Sequence, residues 1–174
     1  MLKKSFLYIT LASISLYAEE TMKLTSPVFE HNGAIPAEYT CDGANVSPAL
    51  SWSGEPENTQ SFALIVDDPD APSKAWVHWV VYNIPSNINQ LRKGQSTSRA
   101  EIPFLQGATD FDGKQHWGGP CPPSGTHNYQ FTLYALDTVL DLPAGVTKHQ
   151  LIKTMHDHIL EQTTLIGTYS AQKK

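Results

Sequence analysis

Val77 to Ile84 (VHWVVYNI) is aromatic, β-branched and apolar on both faces, and this limits the fold more than any other feature of the chain. A strand alternates its side chains between two faces, so a run without polar alternation needs cover on both sides, as in a central strand. Tyr129 to Leu136 (YQFTLYAL) repeats that character and sets Tyr129, Phe131, Leu133 and Ala135 on one face. Phe62 to Asp67 (FALIVD) is a third apolar run, closed by the turn signal at Pro69. Weaker strands are expected near Leu24–Phe29, Ala49–Trp52 and Leu165–Tyr169. Prolines and glycines are spread along the chain, which suits many short strands joined by turns.

One segment has a different period. Thr147-Lys148-His149-Gln150 reads as a capping box, and Leu151, Ile152, Met155, Ile159 and Leu160 follow at helical spacing. This predicts a helix from about Lys148 to Gln162 laid on the sheet, and a short helical turn is expected around Ser86–Leu91. No repeat, low-complexity tract or charge block marks a domain boundary, so the reading is one mostly β domain with a C-terminal helix.

The N-terminus carries the marks of an export signal. Lys3 and Lys4 precede an uncharged apolar stretch from Ser5 to Leu16, and Leu16-Tyr17-Ala18 offers a cleavage point before Glu19. The stretch is short for a bilayer span of about 20 residues. Signal peptide 1–18 and domain 19–174 are therefore expected, with a periplasmic or secreted location and no stable membrane insertion after processing. Cleavage leaves 156 of the 174 residues and takes two of the 12 basic residues but none of the 17 acidic ones, so the formal charge moves from −5 to −7. That charge opposes binding to nucleic acid. Cys41 and Cys121 form an isolated pair outside any Cys-x-x-Cys spacing. In an oxidising compartment a disulfide is favoured, with two buried thiols or soft metal ligands as alternatives.

Two loops carry candidate chemistry. In Asp68-Pro69-Asp70-Ala71-Pro72, followed by Trp76 and His78, an antiparallel hairpin centred near Pro72 would set position 68 opposite 76. His78 would then lie within reach of both carboxylates, and a carboxylate beside it would fix its tautomer and favour its protonated form. The same residues also suit ordinary turn capping. The second loop, Trp117-Gly118-Gly119-Pro120-Cys121-Pro122-Pro123, leads into His127 and Tyr129 on one strand face. Exposed N–H groups of Gly118 and Gly119 could point at an anion; a rigid connector without a ligand is the plainer alternative. Tyr82, four residues beyond His78, lines the same cavity or packs in the core.

Taken together, these pieces resemble the phosphatidylethanolamine-binding protein family, in its bacterial Raf-kinase-inhibitor-like branch. The resemblance rests on Tyr39-Thr40-Cys41-Asp42-Gly43 with Ser47-Pro48 and Trp52, the Asp68–Pro72 turn with Trp76 and His78, Gly118–Pro123, His127 with Tyr129, and Leu165–Tyr169. It implies a β-sandwich-like fold with a small cavity at one sheet end that binds phosphate-like or carboxylate anions. The implied ligand-binding positions are Asp68, Asp70, Trp76, His78, Gly119, Pro120, His127 and Tyr129, with Pro120 or Pro123 in the wall. The family commonly reads His-Arg-Tyr where this chain has His127-Asn128-Tyr129. Strand alternation places residue 128 away from the cavity, so the change removes an ion pair behind it.

The expected function is an exported binder of a small anion or lipid head group, with no cofactor and no catalytic turnover. Modulation of an unidentified partner protein as an inhibitor is a further expectation. The alternatives are a periplasmic metal-binding protein using His78, His127 and His116, and a metal-dependent hydrolase using the same His/Asp pocket. The chain offers no nucleophile elbow and no His-Glu-x-x-His motif.

Overall fold

The structure is a computed structural model and describes residues 21–73, 75–97 and 102–171. The expected signal peptide lies outside the described residues. In chain order the elements are β1 (Lys23–Thr25), β2 (Gly33–Ala34), β3 (Leu50–Ser53), β4 (Ser61–Asp68), β5 (Trp76–Pro85), β6 (Gln90–Leu91), β7 (Leu105–Gln106), β8 (Thr126–Leu136), α1 (Lys148–Met155) and β9 (Ile159–Ser170). They build a three-stranded sheet of order β1-β3-β6 and a six-stranded sheet of order β2-β9-β8-β4-β5-β7.

The two-faced apolar runs become the middle of the large sheet. Phe62, Leu64 and Val66 of β4 pack with Trp79 and Val81 of β5 and Phe131 and Leu133 of β8. Leu24, Leu50, Trp52 and Leu91 of the small sheet close the same core. On the opposite face Ala63, Ile65, Val80 and Leu136 pack under Leu151 and Met155 of α1. Burial on both sides explains why β4 has no exposed position at all.

The helix is shorter than its periodicity predicts. The capping box forms as expected, with Gln150 N donating to Thr147 Oγ1 and Thr147 N donating to Gln150 Oε1. The α-helix nevertheless stops at Met155, His156–His158 form a 3-10 turn, and Ile159 already begins β9. Pairing with β8 runs from Thr126↔Ser170 to Leu136↔Ile159, and that long ladder outweighs the helical spacing of Ile159 and Leu160. Ser86–Leu91 likewise contains no helix, and Gln90 and Leu91 pair with β3.

An irregularity in β5 decides where the site lies. Val66 pairs with Trp79 and Asp67 with Val77, so His78 is an extra residue in the ladder. Such a bulge turns two consecutive side chains to one side. His78 and Trp79 both face the core shared by the two sheets, while Val77, Val80 and Tyr82 face the helix layer. Tyr82 therefore lies on the opposite face from His78, contrary to simple alternation, and its hydroxyl donates to Pro143 O at 2.5 Å.

Candidate functional site

Asp68 closes β4 directly opposite Trp76, the first residue of β5, as the hairpin reading requires. Its carboxylate serves the turn and the site together. Oδ1 accepts from Asp70 N at 2.8 Å, which fixes the Asp-Pro-Asp turn, and Oδ2 lies 2.7 Å from His127 Nδ1. The β4–β8 register pairs Asp67 with Gln130, so residue 68 faces 129 and lies diagonal to His127. His78 reaches the same place through the bulge and meets Tyr129 edge-on, with ring centroids 5.1 Å apart.

A cavity of about 210 Å³ opens there. Asp68, Trp76, His78, His127 and Tyr129 all line it, as expected from sequence. Ala71, Pro72, Phe111, Cys121 and Pro123 complete the wall. Phe111 has no signal in the sequence, because it lies on the loop between β7 and β8, outside both motifs. Its ring meets His78 and Trp76 edge-on at 5.2 and 5.7 Å and is 42% exposed at the rim.

Three expected positions lie elsewhere. Asp70 is not among the lining residues and accepts from Asn128 N and Nδ2, each at 2.8 Å. Those two bonds hold its carboxyl below the usual carboxylate range, the backbone donor contributing most. Gly119 packs against the 39–45 loop, its N–H donating to Asn45 Oδ1 at 2.8 Å. Pro120 gives its carbonyl to Cys41 N, so Pro123 is the wall proline. Gly118 N donates to His78 O, so neither glycine N–H is open to an anion. His116 is engaged by Asp112 and the Trp117 carbonyl and is not among the lining residues.

The disulfide forms between Cys41 and Cys121, with Cα atoms 5.5 Å apart. It ties the 39–45 loop to the wall of the cavity.

Both imidazoles are oriented by the protein. His78 Nδ1 lies 2.5 Å from Gly118 O, so a backbone carbonyl rather than a carboxylate fixes its tautomer. Burial pushes the His78 pKa down, against the Gly118 hydrogen bond and the charges of Asp68, Asp67 and Asp110, so the ring favours its neutral form. His127 is set by Asp68. Tyr129 is pushed up by burial first and by the Asp68 charge second. Its buried hydroxyl lies near the Cys121 backbone without a partner in hydrogen-bond geometry.

The family model described as phosphatidylethanolamine-binding protein matches residues 25–170. The chain belongs to this family. Among its relatives, a UPF0098 protein of Methanothermobacter thermautotrophicus is 49% identical over 149 residues, covering 85% of this chain and 98% of that protein. A UPF0098 protein of Chlamydia pneumoniae is 46% identical over 153 residues. A phosphatidylethanolamine-binding protein homologue from Chlamydia trachomatis has a solved structure that superposes with a TM-score of 0.81 at 40% identity, covering 88% of this chain and 99% of the other. Escherichia coli YbcL, described as a member of the mammalian family, gives the same TM-score at 30% identity, covering 89% of this chain and all of YbcL. The mostly β family fold read from the motifs is the fold of the protein.

Proposed function

We propose that this protein, after export, binds a small oxyanion of phosphate or carboxylate type in the His78–His127 cavity, either free or as part of a lipid head group. One observation carries the reading. Two buried imidazoles share a single cavity, and each has its Nδ1 edge committed to a protein acceptor, leaving the Nε2 edges for a ligand. Among the described residues no lysine or arginine lines the cavity, so the side-chain nitrogens that face an anion there are those of the two histidines. The buried and unpartnered Tyr129 hydroxyl adds a polar group at the same wall.

Binding without turnover fits the lining. Among the described residues it contains no serine or threonine hydroxyl, Cys121 is in a disulfide, and burial keeps the Tyr129 phenol from ionising. The metal-binding alternative would use the same two Nε2 edges, but Asp68 is spent behind His127. Among the described residues no group of three or more His, Cys, Asp or Glu is arranged to hold a metal ion. The disulfide supports an oxidising location, together with the N-terminal signal pattern. The head groups named in the family's description are phosphate esters, and the same site in contact with a partner's anionic group would let the protein act as an inhibitor.

Calorimetric titration with inorganic phosphate tests the proposal. Binding is expected for the native protein, weakened in His127→Ala and His78→Ala, and weaker above neutral pH than below it. Equal affinity at acid and alkaline pH, or binding untouched by both substitutions, contradicts it.

A further inference from the structure

A second cavity, of about 460 Å³, opens on the helix side of β5. Val77 lines it while His78 lines the first, because consecutive strand residues point to opposite faces. Among the described residues the two cavities share no lining residue. Thr147, Lys148 and His149 line the second one, so α1 begins on it. The capping box uses Thr147 N and Gln150 N, and Leu151 N donates to Thr147 O. Lys148 N and His149 N lie between these, where an α-helix supplies no acceptor of its own. With the helix dipole they make an end that favours negative charge. The Lys148 ammonium is matched by Asp67.

Thr109 points to a ligand independently. It is 4% exposed, and its Oγ1 has no hydrogen-bond partner among the described residues. Thr109 N donates to Lys114 O and Thr109 O accepts from Gly113 N, so its backbone serves the 109–114 turn. The side chain is what it brings to the cavity. A hydroxyl buried without a partner is costly, and a ligand oxygen relieves that cost. The rest of the lining includes the aliphatic side chains of Ala75, Val77, Ala108 and Ile152.

We infer that this cavity binds a small carboxylate carrying a branched aliphatic group. The carboxylate accepts from Lys148 N, His149 N and Thr109 Oγ1, and the alkyl group lies on Val77, Ala108 and Ile152. Asp110 limits the charge that enters. Its Oδ2 accepts from Val77 N at 3.0 Å, which fixes a protein carboxylate in the wall. Repulsion from it favours a single negative charge over a dianion, and it accommodates an ammonium group next to the ligand's carboxylate, as in an aliphatic amino acid.

The experiment is titration of the full chain with isovalerate, followed through backbone amide shifts in heteronuclear NMR spectra. Saturable shifts are expected at Thr109, Lys148 and His149, and none at His127. Isoamyl alcohol keeps the carbon skeleton and lacks the charge, so it is expected to give no saturation. Thr109→Val keeps the side-chain shape without the hydroxyl, and isovalerate affinity is expected to fall about three- to ten-fold, the scale of one hydrogen bond. A leucine arm identifies the source. Tighter binding than isovalerate supports an amino acid, and equal or weaker binding supports a plain carboxylic acid, both within the inferred class. Shifts confined to the His78–His127 cavity overturn the inference, as does isovalerate that never saturates or isoamyl alcohol that binds as tightly. Undiminished affinity in Thr109→Val also contradicts it, and the native titrations decide alone should the variant fail to fold. None of these results bears on phosphate binding in the first cavity.

Discussion

His127 and Asp68, 59 residues apart in sequence, meet at 2.7 Å through Nδ1 and Oδ2 at the open end of the large sheet. The same carboxylate caps the turn that follows it. One residue therefore sets both the shape of the hairpin and the direction of an imidazole.

Asp68→Asn separates these roles. The amide keeps the size and can still cap the turn, but it carries no charge and can present either an acceptor or a donor to His127. Loss of a carboxylate that orients a metal-ligating histidine typically costs about 10–100-fold in affinity, and the same scale is taken for an imidazole that faces an anion. Phosphate binding is expected to weaken within that range while the thermal midpoint moves little. Unchanged phosphate affinity would show that Asp68 serves only the turn.

His78 gives the protein an acid-sensitive core. Burial lowers its pKa in the folded state, so between the unfolded value of about 6.5 and the lower folded value the unfolded chain binds the extra proton. The stability that comes from keeping the ring neutral is present above about pH 6.5 and is lost as pH falls through the folded pKa. Urea unfolding at pH steps from neutral to acid is expected to show this decline. His78→Gln, which has no proton to take up, is expected to flatten it, and an equal slope in both proteins would place the acid sensitivity elsewhere.

Much of this arrangement could be read from the chain, because the informative residues sit next to turn signals. Pro69 and Pro72 fix the hairpin and hence the pairing of Asp68 with Trp76, and the period-two face carrying His127 and Tyr129 holds because β8 pairs without a break from Thr126 to Ala135. Tyr82 takes the core placement, one of the two that its spacing from His78 left open, and does so on the face opposite His78. The bulge at His78 shifts the parity of β5, and a bulge has no composition signal here. Asp70, Gly119 and Pro120 look like ligand contacts in sequence, since turn capping, close backbone approach and anion binding draw on the same residue types. Phe111 reaches the rim only through the path of a loop, which local pattern does not encode. At the C-terminal end of α1, the stripe that predicts helix to Gln162 is also compatible with a strand. The long partner offered by β8 decides between them.

Gly119 carries a packing role in place of the anion contact. A Cβ built there would lie 2.4 Å from Asn45 Oδ1 and 2.5 Å from the Tyr39 carbonyl. The backbone oxygen cannot swing aside, so Gly119→Ala is expected to destabilise by about 1–3 kcal/mol, the usual scale of overpacking. Denaturant unfolding measures this directly. A neutral substitution would mean that the two loops are less tightly joined than their hydrogen bonds indicate.

Asn128 replaces the arginine common in the family and still holds Asp70 through two neutral donors. Restoring the arginine gives a solvent-facing ion pair, worth about 0–1 kcal/mol once screening is counted. Asn128→Arg is therefore expected to leave phosphate affinity unchanged and to shift the unfolding midpoint only slightly. A marked gain in phosphate affinity would instead place residue 128 in reach of the ligand and reverse the assignment of strand faces.

The disulfide closes a separation of 80 residues between Cys41 and Cys121, and the second of these lies in the cavity wall. A cross-link over a loop of that length typically contributes about 2–4 kcal/mol, mainly by restricting the unfolded chain. The two loops are also joined by Cys41 N to Pro120 O, Trp117 Nε1 to Tyr39 O and Gly119 N to Asn45 Oδ1, so reduction leaves a framework in place. Cys41→Ser with Cys121→Ser is thus expected to lower the thermal midpoint clearly while the protein still folds. Phosphate affinity is expected to fall less than in His127→Ala, because the wall loosens while both imidazoles keep their Nδ1 partners. Thermal unfolding and phosphate titration of the double variant measure the two effects separately, and a midpoint equal to that of the native protein would rule out a stabilising role for the cross-link.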